Sequence, residues 1–255
     1  MAEQIIINGL LTSYFFYPGE NPKKIPSVIF LHGWGSSKEV WIPTVQNLQE
    51  RGLASYCLDL PGFGKTELPP KAWRVEDYAE FVVDFFKKNN LSSTIVVGHS
   101  FGGRVAIVLA ATHPELVTRL VLVDSAGVRT HPKAKKVLAL IARFVRPFFR
   151  LRWTNPLRRK IYRLIGAEDY VATPALNQTF VNVIGEDLMH YLPQILQPTL
   201  IIWGRNDFTT PISYANQFLN NLKNARPIVL ERAGHYSFLD APDEFSQALE
   251  TFINS

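Results

Sequence analysis

The chain has 255 residues, 47% of them apolar, and a formal net charge of +5, which suits one globular domain with a sizeable core. The single cysteine, Cys57, excludes an internal disulfide and reads as a small buried apolar residue. Met1-Ala2-Glu3-Gln4 carries no basic leader region and no apolar run is long enough to span a bilayer, so a cytoplasmic protein is expected.

Taken in chain order, residues 5–7 and 14–17, joined through Asn8-Gly9, predict an antiparallel edge hairpin. A short apolar strand at 28–31 runs into His32-Gly33-Trp34-Gly35, and a helix is expected at 37–51. A strand at 55–59 and a helix at 75–89 follow. The β-branched stretch 94–97 ends at Gly98-His99-Ser100-Phe101-Gly102, after which an apolar run predicts a buried helix at 101–112. A strand at 120–124 closes this half. After residue 187 the alternation resumes, with strands at 199–203 and 227–230 and helices at 212–221 and 242–253. Such alternation predicts an α/β fold, a mostly parallel sheet covered by helices on both faces.

Between them the pattern stops. Residues 128–187 are too many for a plain loop and are expected to form an inserted helical lid, leaving 1–127 and 188–255 as the core. The lid begins with Arg129, Lys133, Lys135, Lys136, Arg143, Arg146, Arg150, Arg152, Arg158, Arg159, Lys160 and Arg163, and has no Asp or Glu from 128 to 165. These are 12 of the 27 basic residues, so the net positive charge originates here. Val137, Ile141, Phe144 and Phe148 recur at helical spacing along the same stretch. Two expectations follow: an apolar roof with solvated charges, or a docking surface for an anionic carrier protein or a lipid surface. No motif for nucleic acid is present.

The chemistry centres on Ser100. A serine on a sharp strand-to-helix turn needs small neighbours, which Gly98, Gly102 and Gly103 supply, and it lies at a helix N-terminus that favours negative charge. A serine hydroxyl needs a base. Of six histidines, His235 follows the strand at 227–230, where a parallel sheet gathers its site. His99 beside the serine reads as structural, His113 as a helix cap, and His131 and His190 have no acidic partner in view. The orienting acid is Asp207, after the strand at 199–203, with Asp124 as its rival. The order Ser100, Asp207, His235 is that of nucleophile, acid and base on this kind of turn. Backbone amides of Phe101 and of Trp34 are the expected oxyanion donors. The scheme needs no metal or organic cofactor, and no His or Cys pair has metal-ligand spacing.

His32-Gly33-Trp34-Gly35, Asp59-Leu60-Pro61-Gly62-Phe63-Gly64, Gly98-His99-Ser100-Phe101-Gly102-Gly103, Gly204-Arg205-Asn206-Asp207 and Gly234-His235 together resemble the α/β-hydrolase family. The first two segments are particularly similar to the pimeloyl-carrier-protein methyl ester esterases. The resemblance implies a serine hydrolase acting on small-molecule carboxylic esters with an apolar acyl group. One alternative is carbon–carbon bond hydrolysis of ring-cleavage products on the same triad; such enzymes commonly carry Trp where this chain has Tyr236. An alternative of another class is a non-catalytic ligand-binding module on a hydrolase scaffold.

Overall fold

The structure is a computed structural model that describes residues 2–19, 27–49, 52–128 and 173–255. Eight strands form one sheet: β1 (Ala2–Ile7), β2 (Leu10–Tyr17), β3 (Ser27–Leu31), β4 (Ser55–Leu58), β5 (Thr94–His99), β6 (Val117–Val123), β7 (Thr199–Gly204) and β8 (Ala225–Leu230), in the spatial order β1-β2-β4-β3-β5-β6-β7-β8. β1, β2 and β4 pair antiparallel, and the six strands from β4 to β8 pair parallel. The Asn8-Gly9 turn has φ of 51° and 80°, the two positive values that a two-residue hairpin with matching twist requires.

Alternate residues of the buried strands feed two cores, because successive side chains point to opposite faces. Ile29, Leu31, Val96, Leu120, Leu122, Ile201 and Trp203 pack with helices α2 (Val75–Lys88) and α3 (Phe101–Thr112) on one face. Val28, Phe30, Ile95, Val97, Val121, Leu200 and Ile202 pack with α1 (Ile42–Gln49) and the last helix on the other. The remaining helices are α4 (Asn177–Gly185), α5 (Ser213–Asn221), α6 (Ser237–Asp240) and α7 (Pro242–Ile253). Among the described residues no helix is long and apolar enough to cross a membrane.

Several expected bounds shift, and one element was not foreseen. The helix expected from 37 begins as a tight turn, Lys38–Trp41, before α1. β6 starts at Val117, because the exposed Thr118 and half-buried Arg119 lie at its entry and break the apolar run. The four-residue α6 is too short to show a period. Of the expected lid, residues 129–172 lie outside the described residues, and the helicity and docking face read for them lie there too. Its last part is described: Trp34 Nε1 donates to Thr173 Oγ1 at 3.2 Å, the Trp73 amide donates to Thr179 Oγ1 at 3.1 Å, and Phe180 packs 5.0 Å from the Trp34 ring. α4 therefore sits over the loop that follows β3.

Strand order reverses between β3 and β5: the chain leaves β3 for β4 on one side and returns to β5 on the other. The crevice outside the carboxyl ends of such a pair is where an open α/β sheet binds ligands. One wall of this crevice is anchored by a buried ion pair. Lys38 Nζ lies 2.6 Å from Asp59 Oδ2, and both side chains are fully buried. Asp59 also accepts the Lys38 amide at 2.7 Å and the Lys65 amide at 2.9 Å, so no oxygen of the buried charge is left bare.

Candidate active site

Every expected site residue comes from a loop or a helix start at the carboxyl edge of the parallel strands, so the sheet brings them together. Ser100 stands between β5 and α3 with φ 51° and ψ −108°, a left-handed backbone that a non-glycine residue adopts only when its surroundings hold it there. Its carbonyl accepts the amides of Gly103, Arg104 and Ala126 at 3.1, 3.3 and 3.1 Å, and its own amide donates to Val123 O at 3.1 Å. Gly102 is required by close approach: a Cβ there would collide with the Leu31 carbonyl of the neighbouring strand.

His235 Nε2 is 3.1 Å from Ser100 Oγ, and His235 Nδ1 is 2.8 Å from Asp207 Oδ2. A carboxylate only accepts, so the ring proton sits on Nδ1 and Nε2 is free to accept from the serine hydroxyl. Asp207 is fully secured. Its Oδ1 accepts the Thr209 and Thr210 amides at 2.8 and 2.9 Å, and Thr210 Oγ1 donates to its Oδ2 at 2.6 Å. Burial by itself pushes the Asp207 carboxyl up; the His235 imidazole and the Thr210 donors outweigh it and hold the group below the usual carboxylate range. The acid is thus ionised beside the imidazole.

The rival acid does something else. Asp124 is fully buried at the end of β6, with φ 44°. Its Oδ1 accepts the Gly204 amide at 2.8 Å and its Oδ2 accepts the Ser237 amide at 3.1 Å. Each oxygen therefore holds one of the two loops that carry Asp207 and His235. Burial raises its pKa to about 7 in spite of those donors.

The loop after β3 lies directly against the serine turn. A Cβ on Gly33 would come within 2.9 Å of His99 Nδ1 and 3.4 Å of Ser100 Cβ, so glycine lets this loop lie against the His99 ring. The rings of Trp34 and Phe101 are 5.1 Å apart, edge to face. The Phe101 amide belongs to the first turn of α3, where amides have no intrahelical acceptor. His32 orients the other expected donor. The Leu60 amide donates to its Nε2 at 3.0 Å, which leaves the ring proton on Nδ1, 2.8 Å from Gly33 O. Holding that carbonyl turns the Trp34 N–H of the same trans peptide the opposite way. Burial keeps His32 neutral by lowering its pKa.

The residues that carry these amides pack among aromatic side chains of the core. Trp34 contacts Phe63 at 4.9 Å and Phe180 at 5.0 Å, and Phe101 contacts Tyr78 at 4.9 Å, ring centre to ring centre. Among the described residues no group of three His, Cys, Asp or Glu side chains is assembled that could hold a metal ion. His113 pairs with Glu80 at 2.8 Å, away from the serine. His190 stays at its own loop, on Asp187 O, and His131 lies outside the described residues. Sequence reasoning missed His32, Thr210 and the bracing role of Asp124. Only Asp124 left a signal, as an acid closing a strand beside the nucleophile.

The profile of the alpha/beta hydrolase family matches residues 28–248. A pimeloyl-[acyl-carrier protein] methyl ester esterase of Nitrosomonas europaea is 30% identical over 240 residues, 86% of this chain and 92% of that protein. A 2-hydroxy-6-oxo-6-(2'-aminophenyl)hexa-2,4-dienoic acid hydrolase of Metapseudomonas resinovorans is 25% identical, over 89% of this chain and 83% of its own length. Among solved structures, a membrane phospholipase A described as a bacterial virulence factor superposes with a TM-score of 0.80 at 27% identity, covering 100% of this chain and 86% of that one.

Proposed function

The chain belongs to the alpha/beta hydrolase family, and from that premise we propose that it is a serine hydrolase cleaving carboxylic esters with an apolar acyl group. The observation that carries this is the unbroken relay from Ser100 through His235 to Asp207, at 3.1 and 2.8 Å. Ser100 Oγ attacks the ester carbonyl while His235 Nε2 takes its proton. Asp207 holds the imidazolium that forms, and the Trp34 and Phe101 amides receive the oxyanion. The leaving alcohol takes the proton back from His235. Water, deprotonated by the same nitrogen, then releases the acid and restores the serine. The aromatic cluster of Trp34, Phe63, Phe101 and Phe180 beside the proposed oxyanion amides supports an apolar acyl part over a charged one.

The test is hydrolysis of p-nitrophenyl esters of rising chain length by the wild-type protein and by Ser100→Ala. Turnover should vanish in the variant while its melting temperature stays near wild type. Near-wild-type turnover by Ser100→Ala rejects the nucleophile. A second substrate class is favoured by the resemblance to the dienoic acid hydrolase: carbon–carbon cleavage of ring-cleavage products on the same triad. Consumption of a dienone of that type, with esters left intact, would decide for it.

The single Cys57, buried and with its thiol pKa raised by burial, is compatible with a reducing cytoplasm, where we place the protein. The twelve basic residues between 129 and 163 support an anionic partner, a carrier protein or a lipid surface presenting the ester. Exposed charges are screened within about 8 Å at physiological salt. Salt should therefore raise KM for a carrier- or vesicle-bound ester and leave a small neutral ester unaffected, and replacing Arg150, Arg152, Arg158 and Arg159 by Gln should do the same. Equal salt dependence for both substrates removes the partner.

A further inference from the structure

We propose that His99 is a positioning residue that fastens the loop carrying His235 to the turn carrying Ser100. This rests on the triad proposed above and extends it by one member. His99 Nε2 lies 2.7 Å from the backbone carbonyl of His235. A carbonyl only accepts, so the ring proton must sit on Nε2. The other nitrogen, Nδ1, is buried without a hydrogen-bond partner among the described residues and lies against Gly33, where it lines the back of the loop bearing Trp34.

The consequence is a closed circuit. His99 is covalently next to Ser100; its ring holds the His235 carbonyl; the His235 side chain returns to Ser100 Oγ at 3.1 Å. Two hydrogen bonds thus fix the base relative to the nucleophile. One of them, to Oγ, has to change as the serine proton moves. The other takes no part in proton transfer, because it is made to the backbone and not to the imidazole. Without it the base is held from the serine side only by the contact that the reaction breaks.

The surroundings keep this brace in one state. The His99 ring is 1% exposed and packs at 4.9 Å from the His235 ring, 4.9 Å from Tyr236 and 5.1 Å from Phe238. The titratable and charged groups that reach it are His235, Asp207 and His32. Burial first, and then the His235 charge, lower its pKa to about 3, so the donor does not titrate near neutrality.

Two variants separate positioning from folding. His99→Gln keeps an N–H donor at the place of Nε2, and His99→Met keeps length and apolarity but donates nothing. Both are measured well below their melting temperatures. One readout is the rate at which a fluorophosphonate labels Ser100, located by peptide mass; the other is kcat and KM on a p-nitrophenyl ester. His99→Met should lose tenfold or more in labelling rate and in kcat, toward the ~100-fold that a misplacement of about 1 Å can cost, with KM little changed. His99→Gln should recover most of that loss. Wild-type kcat and labelling in His99→Met, or equal losses in two folded variants, overturn the proposal. Labelling of wild-type Ser100 without ester turnover would sink the ester reading and leave this one tested by the labelling rates. No labelling of wild-type Ser100 would overturn both.

Discussion

Two neighbouring strands, β6 and β7, each deliver a buried aspartate to the same edge of the sheet, and the two acids do different work. Asp207 gives one oxygen to backbone amides and turns the other toward His235. Asp124 spends both oxygens on backbone amides, one from each loop beside it. The difference is one of direction, since Asp207 accepts more hydrogen bonds than Asp124 does and still meets the imidazole through Oδ2. What separates the proposed catalytic partner from the brace is which group each carboxyl faces, the His235 imidazole or the amides of Gly204 and Ser237, and not burial, since both are buried.

The largest expected effect tests that division directly. Asp207→Asn should lower kcat by about three to four orders of magnitude, as in other triads whose imidazole loses its orienting charge. Asp124→Asn places an amide NH2 against one of two backbone N–H groups and should cost about tenfold, because the loops shift while the relay survives. Steady-state kinetics on one ester decides; a greater loss from Asp124→Asn would exchange the two roles. Thr210→Val is subtler. It removes the hydroxyl that donates to Asp207 Oδ2 at 2.6 Å and leaves the amides, so a loss of about three- to tenfold in kcat is expected. An unchanged kcat would show that the amides alone hold the acid.

The last test is thermodynamic rather than kinetic. The Asp124 pKa rises on folding from 3.8 to about 7, so between those values the folded chain binds more protons than the unfolded one. The stability this contributes is complete below about pH 4 and is lost as pH rises through 7. Asp124→Asn cannot titrate. The melting temperature of wild type relative to Asp124→Asn should therefore fall between about pH 4 and 8. A constant difference would mean that the carboxyl keeps an ordinary pKa in the fold.

Much of this was legible in the chain. The bounds of α3 and α7 were readable because Ser100 and Pro242 mark their first turns, and the gathering of Ser100, Asp207 and His235 at one edge of the sheet because each follows an apolar strand. The tight turn at Lys38–Trp41 was not, since its side chains follow no helical period that a reader could separate from α1. His99 reads as structural from sequence, and its bond to the His235 carbonyl spans 136 positions, which no local pattern encodes. His32 was hidden for a like reason: its partner, the Leu60 amide, is a backbone group, and sequence says nothing of which backbone groups a side chain will meet.

The pair of Lys38 and Asp59 has a consequence for how this chain can change over generations. Removing Asp59 still leaves Lys38 the half-exposed Glu39 carboxylate at 3.2 Å, whereas removing Lys38 strands Asp59 as a fully buried charge, at about 3–5 kcal/mol. A total stability of about 5–15 kcal/mol leaves little room for such an intermediate. Lys38 is therefore not free to drift while Asp59, 21 residues away, remains, and the buried carboxylate holds it in place across time as firmly as across space.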